Sequence, residues 1–210
     1  VPGATHAHVL LVTATPDTGG GPIVALVDAA DATVVPQRLS SDVPHGAVTL
    51  DGAPATALDG VGLRRVLDHA VSALASEQSG MLDAAVRLAA THTSEREQFG
   101  RPIATFQAVS QRVAGAFVDS ECARLTALQA AWRLHEGLPA TDEVAVAKWW
   151  AAEAGHRVLH AAQHVHGGVG VDREYPLHRY LLRTKQLEFA LGSASDQLGR
   201  LGASLAADPA

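Results

Sequence analysis

Cysteine is all but missing from this chain. Cys122 is the only one in 210 residues, which excludes an internal disulfide framework, and its apolar helical surroundings predict a core thiol. Aromatic residues are scarce, 4% against 47% hydrophobic residues in total, so the interior must be built from Ala, Val and Leu. An alanine-rich interior favours helices, because Ala loses no side-chain entropy there. Lysine occurs only as Lys148 and Lys185, and the net charge is −6, a balance that argues against a nucleic-acid partner. No apolar run approaches the roughly 20 residues of a membrane span. No signal peptide opens the chain, and a cytoplasmic protein is expected. There is no initiator Met before Val1-Pro2-Gly3-Ala4, so the sequence is read as the carboxy-terminal piece of a longer protein.

Residues 1–58 carry short β-branched runs. His8–Thr13 and Pro22–Val27 are separated by the turn-forming cluster Asp17-Thr18-Gly19-Gly20-Gly21, and Thr33–Val35 and Ala47–Leu50 supply two more strands. Four short strands make half a barrel or sandwich. Residues 59–210 change to helical periodicity. Leu63, Val66, Leu67 and Ala70 open a helix that runs to about Thr93. A second carries Phe106, Val109, Val113, Phe117, Leu125, Leu128 and Trp132, with Thr105 as its expected N-cap and Gly137-Leu138-Pro139 as its stop. Thr141 is the expected cap of a third, which ends near Gly167. A fourth begins near Pro176 and places Leu191, Ala194, Leu198, Leu201 and Leu205 on one stripe. The predicted fold class is α+β: a partial β domain followed by an antiparallel four-helix bundle.

Several residues stand out chemically. Arg96 closes the first helix before a loop broken by Gly100 and Pro102, where a guanidinium can fork onto a phosphate and Phe99 can pack on a flat ring. The same residues could instead be a surface ion pair and a core aromatic. Gly167, Gly168 and Gly170 allow close backbone approach and expose N–H groups to an anion, or make a plain interhelical turn. His156, His160 and His164 share a helix face, but no Cys or carboxylate accompanies them at ligand spacing, and no metal site is expected. Trp149-Trp150 reads as packing at a helix or subunit interface, and Asp83 with Arg87 as an ordinary helix-surface pair.

Together these strings resemble the acyl-CoA dehydrogenase family. Arg96-Glu97-Gln98-Phe99-Gly100-Arg101-Pro102-Ile103 with Phe106-Gln107 matches the family's R-x-x-F-G-x-x-(I/L)…Q element. Gln163 to Gly170, followed by Glu174-Tyr175-Pro176-Leu177-His178-Arg179, is similar to its Q-x-x-G-G-x-G…E-x-P-x-x-R element. The likeness covers roughly residues 60 to 205, and the β-rich start resembles the second half of the family's middle domain. It implies FAD, acyl-CoA substrates, an electron-accepting flavoprotein, and a tetramer centred on these bundles. It also implies that Arg96, Phe99 and Gln107 contact the FAD of a neighbouring subunit, with Gly167 and Gly168 near its adenosine-diphosphate part. The family's amide position is His164 here, with Gln163 one place earlier. Gly192 and Ser193 stand in the segment aligned with the family's E-G-T element and are further cofactor candidates.

The catalytic base is where the resemblance breaks. Dehydrogenation removes an α-proton from the thioester, which needs a carboxylate in a site with its water excluded. The family's usual Glu position is Leu191, and its alternative position on the first bundle helix is Ala70; neither side chain takes a proton. Asp68 and Glu188 are the nearest carboxylates that could replace it. The expectation is a subunit that contributes FAD contacts while a partner subunit in a heterotetramer supplies the base. The alternatives are a self-sufficient homotetramer with a displaced base and a non-catalytic assembly protein.

Overall fold

A computed structural model describes residues 1–17 and 19–207. The chain divides into two compact units, Val1–Leu67 and Asp68–Ala210. In the first unit, β1 (Val9–Ala14) pairs antiparallel with β2 (Ile23–Asp28), which also pairs with β5 (Thr56–Ala57). β3 (Thr33–Gln37) and β4 (His45–Thr49) form a separate two-stranded sheet. Alternation places Leu10 and Val27 in a small core with Ala4, flanked by Val12, Val34 and Val48. The β1–β2 turn includes Gly19 and Gly20, both at positive φ; Thr18 lies outside the described residues.

The second unit is helical, built from α1 (Leu63–Glu95) from Asp68 onward, α2 (Gln107–His135), α3 (Thr141–His166), α4 (Leu177–Phe189) and α5 (Ala194–Ala207). Its core is largely alanine, which lets helix axes approach closely. Ala75 packs with Ala127, Ala130, Ala147 and Ala151, and Leu82, Ala85 and Ala89 with Ala116, Ala123, Val158 and Ala162. The order of these pairings shows α1 and α3 running the same way. α4 runs against α3, since Leu177 packs in the cluster of Val158 and Val165 while the Leu187 carbonyl meets Lys148. α5 continues in that direction until the Ser204 hydroxyl donates to Asp142 at 3.0 Å. Arg183 ties α4 to α1 through two bonds to Glu77, at 2.7 and 2.9 Å.

The fourth helix is therefore broken rather than continuous. Leu191 (φ 57°) and Gly192 (φ 110°) leave the helical region. A Cβ on Gly192 would lie 2.7 Å from Gln197 Nε2. Asp196 Oδ2 accepts the Ser193 N–H at 2.7 Å and its hydroxyl at 2.8 Å, a reciprocal cap that restarts the chain as α5. The hydrophobic stripe from Leu191 to Leu205 conceals this break, while Gly192-Ser193-x-x-Asp196 is its sequence signature.

Both expected threonine caps fall elsewhere. Thr105 sits in a short 3₁₀ turn and donates to the Pro102 carbonyl at 2.7 Å, leaving Phe106 as the N-cap of α2. Thr141 is already helical, and its hydroxyl donates to Asp68 Oδ2 at 3.1 Å, a long-range partner that outcompetes local capping. Cys122 is half-buried rather than a core thiol. Asp83 and Arg87 pair at 2.8 Å.

Candidate functional site

The end of α1 is shaped by a miniature hairpin. The Arg96 N–H donates to the His92 carbonyl at 2.9 Å, and the Arg96 carbonyl accepts Ile103 N–H at 2.8 Å. Between them β6 (Glu97–Gln98) pairs with β7 (Arg101–Pro102). The connecting residues Phe99 and Gly100 have φ of 55° and 75°, the two positive values that a tight type I′ turn requires. Glycine accepts this conformation freely, whereas for phenylalanine it is strained.

The strained Phe99 is also 91% exposed. It touches Phe106 edge-on with ring centroids 6.0 Å apart, and the Arg101 guanidinium lies 4.2 Å above the Phe106 ring. Arg96 is exposed, and its guanidinium has no hydrogen-bond or ion-pair partner among the described residues. It is not a surface ion pair, and Phe99 is not a core aromatic. Gln107 is exposed as the first residue of α2.

Beside the hairpin lies a groove of about 310 Å³ with Phe99, Ile103, Phe106, Val109 and Val165 as apolar walls and Gln98, Arg112 and His164 as polar groups. It gathers Phe99 and His164 from positions far apart in sequence; Arg96 and Gln107 do not line it. Two residues beyond His164, α3 ends, and Gly167 (φ 60°) starts a 3₁₀ turn over Gly167–Val171. A Cβ at Gly167 or Gly168 would meet nothing within 4 Å, so open space lies over both. Gly170 differs: a Cβ there would press on the Gln163 carbonyl at 3.0 Å, so it serves the turn itself.

Leu191, Gly192 and Ser193 lie elsewhere. Lys148 meets the carbonyls just before them, and Lys148 is about 24 Å along α3 from His164 at 1.5 Å per residue. Leu191 is 43% exposed, and Ala70 is half-buried near the start of α1. Both candidate replacement bases are engaged. Asp68 is buried and accepts from Thr141. Glu188 is 7% exposed and receives Lys185 Nζ at 3.0 and 3.1 Å. It faces a cavity of about 350 Å³ shared with Glu153, His156, Phe189 and Ser193.

The histidine row of α3 is split by these surroundings. His156 receives Lys185 Nζ at 2.8 Å and stacks obliquely on His160, whereas His164 faces the other groove. No cluster of three potential metal ligands occurs among the described residues. Burial, then Lys185 and His156, hold His160 below the ordinary imidazole value. Trp149 and Trp150 pack edge to face, and Trp150 flanks the bundle core.

Two features of the bundle carry no motif in the sequence. Lys148 is fully buried, and its Nζ donates to the Leu187 and Glu188 carbonyls at 2.6 and 3.2 Å, closing the end of α4. Burial pushes its pKa down to about 8, against the opposing pull of Glu188. The other is a stacked pair of rings, His92 on His166, with centroids 4.3 Å apart. His92 lies one helical turn before Arg96, the sole hint of this pairing in the sequence.

The second unit is thus a helical bundle with an unpaired arginine, an exposed aromatic and open glycines at adjoining helix ends. Comparison with known proteins gives this bundle a family. The model of the acyl-CoA dehydrogenase C-terminal domain matches residues 62–206, and the chain belongs to this family of FAD-dependent oxidoreductases. It is 52% identical over 141 residues to acyl-CoA dehydrogenase FadE27 of Mycobacterium tuberculosis, covering 63% of this chain and 38% of that protein. FadE28 of the same organism is 35% identical over 159 residues, 74% of this chain and 47% of the relative. Among solved structures, the ChsE4–ChsE5 complex of M. tuberculosis is 42% identical with a TM-score of 0.87, over 99% of this chain and 58% of that one. A variant of the Tcur3481–Tcur3483 steroid acyl-CoA dehydrogenase is also 42% identical, with a TM-score of 0.92 over 98% and 57%. The chain thus spans about half the length of the relatives it matches. No helix among the described residues is long and apolar enough to cross a membrane.

Proposed function

We propose that this chain is the carboxy-terminal part of an acyl-CoA dehydrogenase subunit for α,β-dehydrogenation of CoA thioesters, contributing FAD contacts while a partner subunit supplies the catalytic base. The observation that carries the reading is Phe99, an aromatic held in a strained left-handed conformation and presented almost wholly to solvent. Strain of this kind, here imposed by the β6–β7 hairpin, clusters at ligand sites. The residues fit the cofactor: an unpaired guanidinium suits a phosphate, Phe99 a flat ring, and the space over Gly167 and Gly168 the approach of a backbone-bound diphosphate.

Bound FAD supplies the acceptor for the hydride leaving the β-carbon. Arg96, Phe99, Gln107, His164, Gly167 and Gly168 hold the FAD of a neighbouring subunit at one end of the bundle, and Gly192 and Ser193, in the distant segment between α4 and α5, are contacts for a different FAD of the assembly. The α-proton has no acceptor at Leu191 or Ala70, and the ion pair with Lys185 occupies Glu188. A base from another subunit resolves this. Two further observations favour a partner. Phe117, Val118, Leu125, Leu128 and Trp132 on α2 are each more than half exposed, an apolar face suited to another subunit. Two of the similar structures are named as two-component assemblies. The setting is a cytoplasmic tetramer that passes electrons to a flavoprotein acceptor.

The test is flavin content and turnover of the full-length protein with and without its partner. Arg96→Ala should lower the FAD bound by the assembled complex about tenfold, the scale of one charge-assisted hydrogen bond, with folding intact. Unchanged FAD content would remove Arg96 from the cofactor site. Turnover of an acyl-CoA by the full-length subunit alone would overturn the division of labour, and a colourless complex would favour a purely structural bundle.

A further inference from the structure

The two elements that carry the cofactor residues are joined by the His92–His166 stack. The His92 carbonyl accepts the Arg96 N–H, and His166 is the last residue of α3 before Gly167. The imidazoles stack with centroids 4.3 Å apart and planes 20° from parallel. His166 is 5% exposed. Its Nδ1 lies 2.7 Å from the Ala162 carbonyl, which can only accept, so this nitrogen carries a proton. Its Nε2 lies 3.0 Å from the Tyr175 hydroxyl, and in the neutral ring it accepts that O–H. Tyr175 is held in turn, its carbonyl 2.7 Å from His178 Nδ1.

We infer that His92 and His166 are positioning residues for the cofactor: their neutral stack locks the Arg96 hairpin against the Gly167–Gly168 turn, and protonation unlocks it and weakens FAD binding. This rests on the functional reading above. A cation on His92 would face the His166 ring and the Arg96 guanidinium, with Glu95 opposing them. Burial, His166 and Arg96 accordingly hold His92 below the ordinary imidazole value, while Glu95 pulls the other way. On His166, a second proton would force the Tyr175 hydroxyl from donor to acceptor. The other titratable and charged groups on this side are Asp172, Arg173, Glu174 and His178 about Tyr175, and His164 and Arg112 in the groove beside Val165. Of the acids, Asp172 is taken up by the Glu174 N–H at 2.9 Å, and Glu95 is the carboxylate that favours an added proton on His92. The folded-state pKa of His92 is depressed, so the opened form takes up the proton first as pH falls below about 6.5. The lock is complete above that value and is lost on acidification.

The experiment measures FAD affinity of the assembled full-length protein by flavin fluorescence at about pH 7.5 and about pH 5.5, either side of the ordinary imidazole value. Wild type should lose affinity at the lower pH, by at most about tenfold, the protonated-to-neutral ratio of an ordinary imidazole one pH unit below its pKa. His92→Phe keeps a flat ring without a charge; it should bind within about twofold of wild type at the higher pH and keep that affinity at the lower one. His92→Ala should weaken FAD about fivefold at both pH values, the scale of one ring–ring interaction. Equal acid sensitivity in wild type and His92→Phe overturns the inference, as does full affinity in His92→Ala. If His92→Ala fails to assemble, the His92→Phe comparison decides alone. An assembled protein that binds no FAD at any pH overturns the functional reading and this inference with it, an outcome distinct from FAD that binds without regard to pH.

Discussion

Replacing Phe99 with Asn should make the protein more stable and a worse flavoprotein. Phe99 and Gly100 form a two-residue hairpin turn with both φ angles positive, the conformation for which Asn-Gly is the preferred pair. Holding a bulky residue in the left-handed region costs about 1–2 kcal/mol, most of which Asn avoids. Against this stands the edge-on packing with Phe106, worth about 0.5 kcal/mol at so exposed a site. The change in burial adds little, because the side chain is 91% exposed. The net gain is about 0.5–1 kcal/mol, a rise of about 1–4 °C in Tm for a chain of this size. Removing the ring from the cofactor should meanwhile weaken FAD by about tenfold, the scale of a ring–ring interaction in a desolvated site. Thermal unfolding of the apoprotein and fluorescence titration with FAD measure the two effects separately. Destabilisation by more than about 1 kcal/mol with FAD affinity unchanged would refute the reasoning, because Phe99 would then be a structural residue whose packing outweighs its strain.

Two further outcomes test the bundle. Between about pH 8, where the folded protein releases the buried Lys148 proton, and about pH 10.5, where the unfolded chain does, only the unfolded chain holds the proton. Unfolding free energy should therefore rise with pH in that window relative to Lys148→Met, by up to about 3 kcal/mol, and the difference should be flat below it; urea melts across this range check the sign. Gly155→Ala should destabilise by about 2–3 kcal/mol in the same assay, through overpacking. Its new Cβ would press on the buried Gln78 amide and lie 2.8 Å from Thr184 Cγ2. Adding Gln78→Ala should return part of that loss, since the Gln78 side chain is buried with no hydrogen-bond partner among the described residues.

The helices from Leu63, Gln107 and Thr141 were legible because apolar residues recur every three to four positions, and the strands because Val, Ile and Thr cluster between turn residues. Gly100 and Gly167 mark the two sharp turns of the site in the sequence itself. Other features were not local. Thr141 reads as a cap but has a partner 73 residues away. The break at Leu191–Gly192 is hidden by an apolar stripe that continues across it. Arg96 and Phe99 share a motif, yet only Phe99 reaches the groove with His164, because the hairpin turns neighbouring residues in different directions.

Composition, periodicity and residue identity are properties of the chain alone, and they already carried the alanine-rich helical architecture, the likeness to the family, and the expectation that Leu191 and Ala70 stand where the family has a carboxylate. Tertiary structure decided which of those residues meet. Only packing α1 beside α3 brings His92 against His166, and only burial, with no water left to solvate an ammonium, lowers the pKa of Lys148. Both effects depend on distance and dielectric between segments far apart in sequence, and neither exists until the bundle closes.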